Sequence, residues 1–409
     1  MFGRPQIQKI QIPTLAGPPS PSLLQIAMQT AAVRSIDDAE ESFFVVDKKN
    51  GQDIKLWYRT WGNPAGIPVL FVHGGPGNCV ADYDNPAFFD ADKFFVVEID
   101  QRGTGKSLPS VRDQTKTSSG VTQGVLNMKL YQDITILQMS LDFEKIREHL
   151  QIKKWLVFGG SWGSTLGLDY AERYPRSCIA LIVRGIFLST REELEAVFAL
   201  EKIEELARNL KVDRYVKEFN IFYEYAKQEY ERTKGSESKT PLDPHDYKKI
   251  LYLYESMILR GDCMAIWKWY VYEVNLIEED PSEWLDPETI DEAKFEEAQS
   301  VAFFEARLFL NGVYELSSDQ LDLLEDTKKL TETGGSDPYH VPVWVVQGTG
   351  DAVCPDKFAH MLVEKLKNAG VLVAAHFVDA GHKASSDGIK KQLQVVVKEF
   401  HEKYTKEGV

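Results

Sequence analysis

The chain reads as an α/β protein: a mostly parallel sheet with helices on both faces, interrupted by an all-helical insertion. Three observations predict this. Short apolar runs alternate with helical stretches from about residue 68 to residue 190. One apolar run, Trp155-Leu156-Val157-Phe158, passes through Gly159-Gly160-Ser161-Trp162-Gly163 directly into a helical stretch that Pro175 ends. From about 190 to 330 only helical patterns occur, and apolar strands return at Val341. Alternating strands and helices build a parallel sheet buried on both sides.

The elements follow in order. Phe43–Val46 and Ile54–Arg59 flank Asn50-Gly51, a hairpin turn signal. Strands are expected near 68–72, 94–99, 155–159 and 180–184. A long amphipathic helix is expected over Leu126–Leu150. Val341-Pro342-Val343-Trp344-Val345-Val346 and Ala374-Ala375-His376-Phe377-Val378 supply two further strands, with His376 as a packed core residue. The expected organisation is an extension over 1–40, a core over 41–190 and 335–409, and a helical cap over 191–334. Thr233–Thr240 and Thr331–Asp337 read as loops.

The glycine-flanked serine defines the chemistry. A strand–turn–helix around G-x-S-x-G is a nucleophile elbow, a turn so tight that only small residues fit beside the serine. It raises Ser161 above the sheet and aims the Trp162 N–H at a developing oxyanion. The base and acid are expected downstream in the order Ser, Asp, His, the order of an α/β-hydrolase fold. Asp351 follows the strand ending at Val346, and His382 follows the strand ending at Val378. Catalytic groups gather at such strand ends. Asp351 would orient His382, and His382 would take the Ser161 proton. The remaining oxyanion donor is expected in His73-Gly74-Gly75-Pro76-Gly77, from Gly74 or Gly75. His73 precedes the nucleophile, so a structural role is expected for it.

Four motifs together resemble the proline iminopeptidases, α/β-hydrolase peptidases that release an N-terminal proline. They are His73–Gly77, Asp100-Gln101-Arg102-Gly103-Thr104-Gly105-Lys106-Ser107, Gly159–Ser164 and Val183-Arg184-Gly185-Ile186-Phe187. The resemblance implies a helical cap whose glutamates bind the substrate amine. Glu273, after Trp269-Tyr270-Val271-Tyr272, and Glu305, after Ala302-Phe303-Phe304, match that pattern. It also places Phe187 and Cys354 beside the proline pocket. The chain departs from the family at Asn78, Thr104, Lys383 and Val274. The expected activity is a serine aminopeptidase acting on short peptides without cofactor or metal. An esterase or amidase for another amine-bearing or secondary-metabolite substrate, and a non-catalytic ligand-binding relative, are the alternatives.

Composition agrees. The 409 residues carry a net charge of −15. Residues 191–330 hold 18 Lys and Arg against 33 Asp and Glu, so the insertion carries the entire excess. A negative cap attracts cationic substrates. No basic patch exists for nucleic acid or an anionic membrane. Cys79, Cys178, Cys263 and Cys354 are far apart and form no C-x-x-C, which favours a reducing compartment. Leu23-Leu24-Gln25-Ile26-Ala27-Met28 is too short for a signal core. A cytoplasmic enzyme, with a homo-oligomer as an open possibility, is the resulting expectation.

Overall fold

The computed structural model describes residues 32–118, 120–234, 240–313, 322–333 and 338–407. The expected N-terminal extension lies largely outside these residues, as do 235–239 and 334–337 of the two expected loops; Thr331 and Glu332, the start of the second, form a strand instead, because they pair with Tyr339 and His340.

The sheet begins with a hairpin. β1 (Glu40–Lys49) and β2 (Gln52–Gly62) are joined by Asn50 and Gly51, at φ 53° and 83°. Two successive positive φ values match the right-handed strand twist, which is why Asn-Gly occupies this turn. Then come β3 (Ile67–Val72), β4 (Phe94–Ile99), β5 (Trp155–Ser161) and β6 (Cys178–Ile186). A two-residue ribbon, β7 (Thr331–Glu332) and β8 (Tyr339–His340), precedes β9 (Val343–Gly348) and β10 (Val373–Val378). The eight-stranded order is β1-β2-β4-β3-β5-β6-β9-β10, with β2 antiparallel to both its neighbours and the rest parallel.

Both faces of the sheet are buried, as the continuous apolar runs require. Along β5, Trp155 and Val157 enter one core while Leu156 and Phe158 enter the other. On the first face lie the helices Ile136–His149, Trp162–Arg173 and Asp356–Asn368. The helix Asp387–Glu407 covers the second with Ile389, Leu393, Val396 and Phe400. Between β6 and β7 the described chain carries helices and no strand, from Arg191 to Val313, with its longest helix-poor stretch over 278–294.

Two expectations need correction. The helix expected over Leu126–Leu150 is broken. A short helix, Gln123–Asn127, tightens into a turn at Met128–Tyr131, and a new helix starts at Ile136. Thr135 is the reason: its side chain accepts the Gln138 N–H, and Gln138 reaches back to the Thr135 N–H. Such a capping box starts a helix rather than continuing one. His376 is half-buried rather than in the core, because β10 is the edge strand.

One carboxyl lies deep in the fold without a hydrogen-bond partner among the described residues. Glu172, on the helix after Ser161, is 2% exposed, and neither carboxylate oxygen meets a hydrogen-bond donor. Burial first, then Asp169 and Asp326, push its pKa well above the usual carboxylate range of about 4.5. A raised folded-state pKa contributes stability that is present at low pH and lost as pH rises above the unfolded value. Wild-type stability should therefore fall from pH 5 to pH 8 more steeply than that of Glu172→Gln, by up to about 1.4 kcal/mol per pH unit. Denaturant titrations at several pH values give the two slopes; parallel slopes would refute the assignment.

Candidate active site

Ser161 sits at the end of β5 with φ 56° and ψ −127°, and Trp162 opens the following helix. A non-glycine residue at positive φ costs on the order of 1–3 kcal/mol, so the surroundings must enforce it. They do so by close backbone approach. A Cβ on Gly159 would lie 2.2 Å from Gly163 O, and one on Gly163 would lie 2.3 Å from Val72 O. A Cβ on Gly160 would meet Arg184 Nε at 2.2 Å. Each glycine in the motif therefore has a steric reason. As the first helical residue, Trp162 keeps its N–H free of an intrahelical acceptor.

Asp351 and His382 come together from the loops after β9 and β10. Asp351 Oδ2 lies 2.8 Å from His382 Nδ1. Asp351 Oδ1 accepts the N–H groups of Val353 and Cys354 at 3.0 and 2.8 Å. Gln347 Nε2 donates to Asp351 Oδ2 at 3.4 Å and to Cys354 O at 2.8 Å. Arg184 Nη1 holds His382 O at 2.8 Å. These bonds hold the ring at Nδ1 and the residue at its backbone carbonyl, and leave Nε2 as the nitrogen not used by Asp351. Ser161 and His382 line one cavity of about 520 Å³. The Ser161 hydroxyl also lies against the Cys354 thiol, which burial pushes well above its ordinary pKa, so that sulfur stays protonated.

The glycine loop is arranged differently from the simplest expectation. Gly75 lines the cavity, whereas the Gly74 N–H donates to Tyr83 Oη at 2.9 Å. Gly74 is thus not a free oxyanion donor, because a phenol already uses its N–H. Among the described residues no acceptor meets the Gly75 N–H. His73 is structural: Nδ1 donates to Gly74 O at 3.0 Å, and Nε2 accepts the Gln101 N–H at 3.0 Å. Burial lowers its pKa to about 4, so it stays neutral.

The helical insertion supplies the far wall. Tyr270, Glu273, Val274, Ile277, Glu297 and Val301 line the same cavity. Glu305 does not line it but hydrogen-bonds to Glu273 and to Trp269 Nε1. Its Oε1 is buried and has no other partner. Burial, then the neighbouring Glu273 charge, push Glu305 well above the usual carboxylate range. Burial raises Glu273 as well, opposed by the Glu305 hydrogen bond and by His382. Two touching carboxyls in such a site cannot both ionise, so they share a proton. Phe187 is buried against Phe309, ring centroids 5.6 Å apart, and together with Cys354 lies behind the cavity wall. The insertion is fastened to the histidine loop by an ion pair between Lys383 and Glu278.

Sequence reasoning missed Arg184, Gln347 and Tyr83. Arg184 lay inside a noted motif, but its reach to His382 spans 198 residues. Nothing local marked Gln347 or Tyr83.

The arrangement is that of a serine hydrolase on an α/β-hydrolase fold. Residues 67–388 match the family described as alpha/beta hydrolase fold. A probable proline iminopeptidase of Leptolyngbya boryana is 30% identical over 345 residues, 83% of this chain and 88% of that protein. Proline iminopeptidases of Neisseria meningitidis and Arabidopsis thaliana are 30% and 31% identical. Those matches cover 81% and 83% of this chain, and 87% and 75% of theirs. The chain belongs to the proline iminopeptidase family of α/β hydrolases.

The elbow packing yields a prediction of opposite signs. Gly163→Ala forces a Cβ onto Val72 O and should cost about 1–3 kcal/mol. Gly167→Ala, on the same helix, comes no nearer than 3.4 Å to Leu181 Cδ1 and Val157 Cγ1, with Val183 Cγ1 at 3.9 Å. There the helical gain of up to about 1 kcal/mol should offset the contact. Chemical denaturation of both variants decides; equal destabilisation would show that the elbow is not tight.

Proposed function

We propose that this protein is a serine aminopeptidase that releases an N-terminal residue, preferably proline, from short peptides. The observation that carries the reading is the Glu273–Glu305 carboxyl pair, set among aromatic residues with Glu273 facing the cavity of Ser161 and His382. A carboxyl pair with one member buried is costly unless a cation meets it, and a substrate ammonium reaching Glu273 is that cation. Residues 191–334 act as a cap over a core of 41–190 and 335–409. The cavity wall carries Asp82, Asp84, Glu273, Glu278, Glu283 and Glu297 against Arg184, Lys294, Lys383 and Lys390. That balance favours cationic ligands.

Ser161 Oγ attacks the carbonyl of the first residue, and its proton passes to His382 Nε2. Asp351 stabilises the imidazolium that forms. The N–H groups of Trp162 and Gly75 donate to the oxyanion. His382 then protonates the leaving amine, and the acyl-enzyme is hydrolysed by water activated on the same imidazole. Phe187 and Cys354 support the wall of the proline pocket rather than its surface. The substrate is a peptide, as the names of the relatives suggest. No described helix is long and apolar enough to cross a membrane; we place the enzyme in the cytoplasm because its sequence indicates a reducing compartment.

Ser161→Ala, Asp351→Asn and His382→Ala should each lower kcat by about 10³-fold or more, with double variants adding little. Steady-state kinetics check this, and near-normal turnover by His382→Ala would remove the base.

The cap glutamates give the sharper test. Charge-assisted hydrogen bonds are worth roughly 1.5–3 kcal/mol each. Glu273→Gln removes such a bond, and Glu305→Gln removes the carboxyl that shares its proton with Glu273, so each should reduce kcat/KM for proline naphthylamide by about 10- to 150-fold. A small neutral ester should be spared. Equal losses on both substrates would make the glutamates structural; no loss on either would favour an esterase.

A further inference from the structure

Tyr83 follows the glycine loop after β3 and is bonded back onto it. Its hydroxyl oxygen accepts the Gly74 N–H at 2.9 Å and the Asn78 Nδ2–H at 3.1 Å. A phenol has one O–H donor and two acceptor lone pairs. Here both lone pairs are filled, so the proton must point away from Gly74 and Asn78. Among the described residues no acceptor meets it. Tyr83 lines the same cavity as Ser161 and His382. A Cβ on Gly74 would lie 2.8 Å from Tyr83 Oη and 3.5 Å from Ser161 Cβ. Phenol and nucleophile thus face each other across a gap that glycine keeps open. The ring is held edge-on by Phe71, centroids 5.5 Å apart.

We propose that the Tyr83 hydroxyl donates a hydrogen bond to the oxyanion formed when Ser161 adds to a carbonyl, and so is a catalytic residue. In that step the Oγ–C bond forms and the carbonyl π pair moves onto oxygen. The serine proton goes to His382 Nε2, and Tyr83 keeps its own proton while bonding to the new charge. When the intermediate collapses, the pair re-forms C=O and the leaving group departs with the His382 proton. Burial raises the phenol pKa, opposed by Asn78 and Arg184, so the donor persists at neutral pH. The arrangement also accounts for two observations left over. It uses the Gly74 N–H indirectly, through the phenol, and it gives Asn78, a departure from the family pattern, a partner.

The inference rests on the serine-nucleophile part of the proposed function and not on the amine site. The test is therefore run on proline naphthylamide and on 4-nitrophenyl acetate. Tyr83→Phe should lower kcat by about 10²- to 10³-fold on both, the usual cost of one oxyanion donor, with KM little changed. Prolinal, whose hemiacetal with Ser161 is tetrahedral, should bind correspondingly more weakly, whereas proline should bind as before. Turnover within threefold of wild type, or equal weakening of prolinal and proline, overturns the proposal. In case Tyr83→Phe fails to fold, 3,5-difluorotyrosine at position 83 keeps ring and oxygen while lowering the phenol pKa. Its kcat should then fall at alkaline pH where the wild type stays active, and an unchanged profile overturns the proposal. Ser161→Ala measured alongside separates the failures. If it is inactive while Tyr83→Phe is active, the tyrosine assignment alone is wrong; if it is active, the nucleophile reading falls, and this inference with it.

Discussion

The backbone of Ser161, held at positive φ, is the constraint on which the rest of the structure depends. Its strain persists only because Gly159 packs on Gly163 and Gly163 packs on Val72 O, joining the elbow to the neighbouring strand. β3 and β5 must therefore be parallel neighbours in a fixed register, Val72 opposite Gly159. That register brings the glycine loop after β3 beside the serine. Arg184, one strand further on, runs beneath Gly160 and holds the histidine loop. The glycine loop and the histidine loop are thus located relative to one side chain by contacts with little tolerance.

The DQRG segment serves the same end by a different route. Gln101 bonds His73 twice, through its own N–H and through Nε2 to the His73 carbonyl at 2.8 Å. Gln101 Oε1 also accepts from Trp162 Nε1 at 3.2 Å. Arg102 turns inward to Asp142 and Asp47. Asp100 accepts the N–H groups of Val80 and Lys106 at 2.8 and 2.7 Å, and burial raises its pKa to about 6. None of these groups lines the cavity. They tie the loops that do, so a motif prominent in the sequence acts here as scaffolding.

Charge is divided between two kinds of acid. Most acids of the insertion are solvated and act only through their summed field. Glu305 lies apart from water against Trp269 and its aromatic neighbours, and Glu273 joins it to the cavity. There, desolvation outweighs the field and favours a shared proton between the two carboxyls. The ion pair between Lys383 and Glu278 links the end of the helix that carries Glu273 to the histidine loop.

The sequence by itself determined where three groups of the site stand in the chain: Ser161 at the elbow after one strand, and Asp351 and His382 after two later strands. Each is announced locally, by glycines and by apolar runs whose ends are visible in the chain. The hairpin at Asn50-Gly51 and most strand boundaries were legible for the same reason. Only the tertiary structure decided which donors are free. Gly74 and Gly75 are indistinguishable in sequence, and the difference arises from a phenol nine residues further on that takes one N–H. It likewise decided that Glu305 stands behind Glu273, and that Phe187 and Cys354 stand behind the cavity wall. Depth and pairing depend on how distant segments pack, and no local pattern encodes them. The break before Ile136 was readable in principle, since Thr135 and Gln138 form a capping box; the amphipathic periodicity across it concealed the stop.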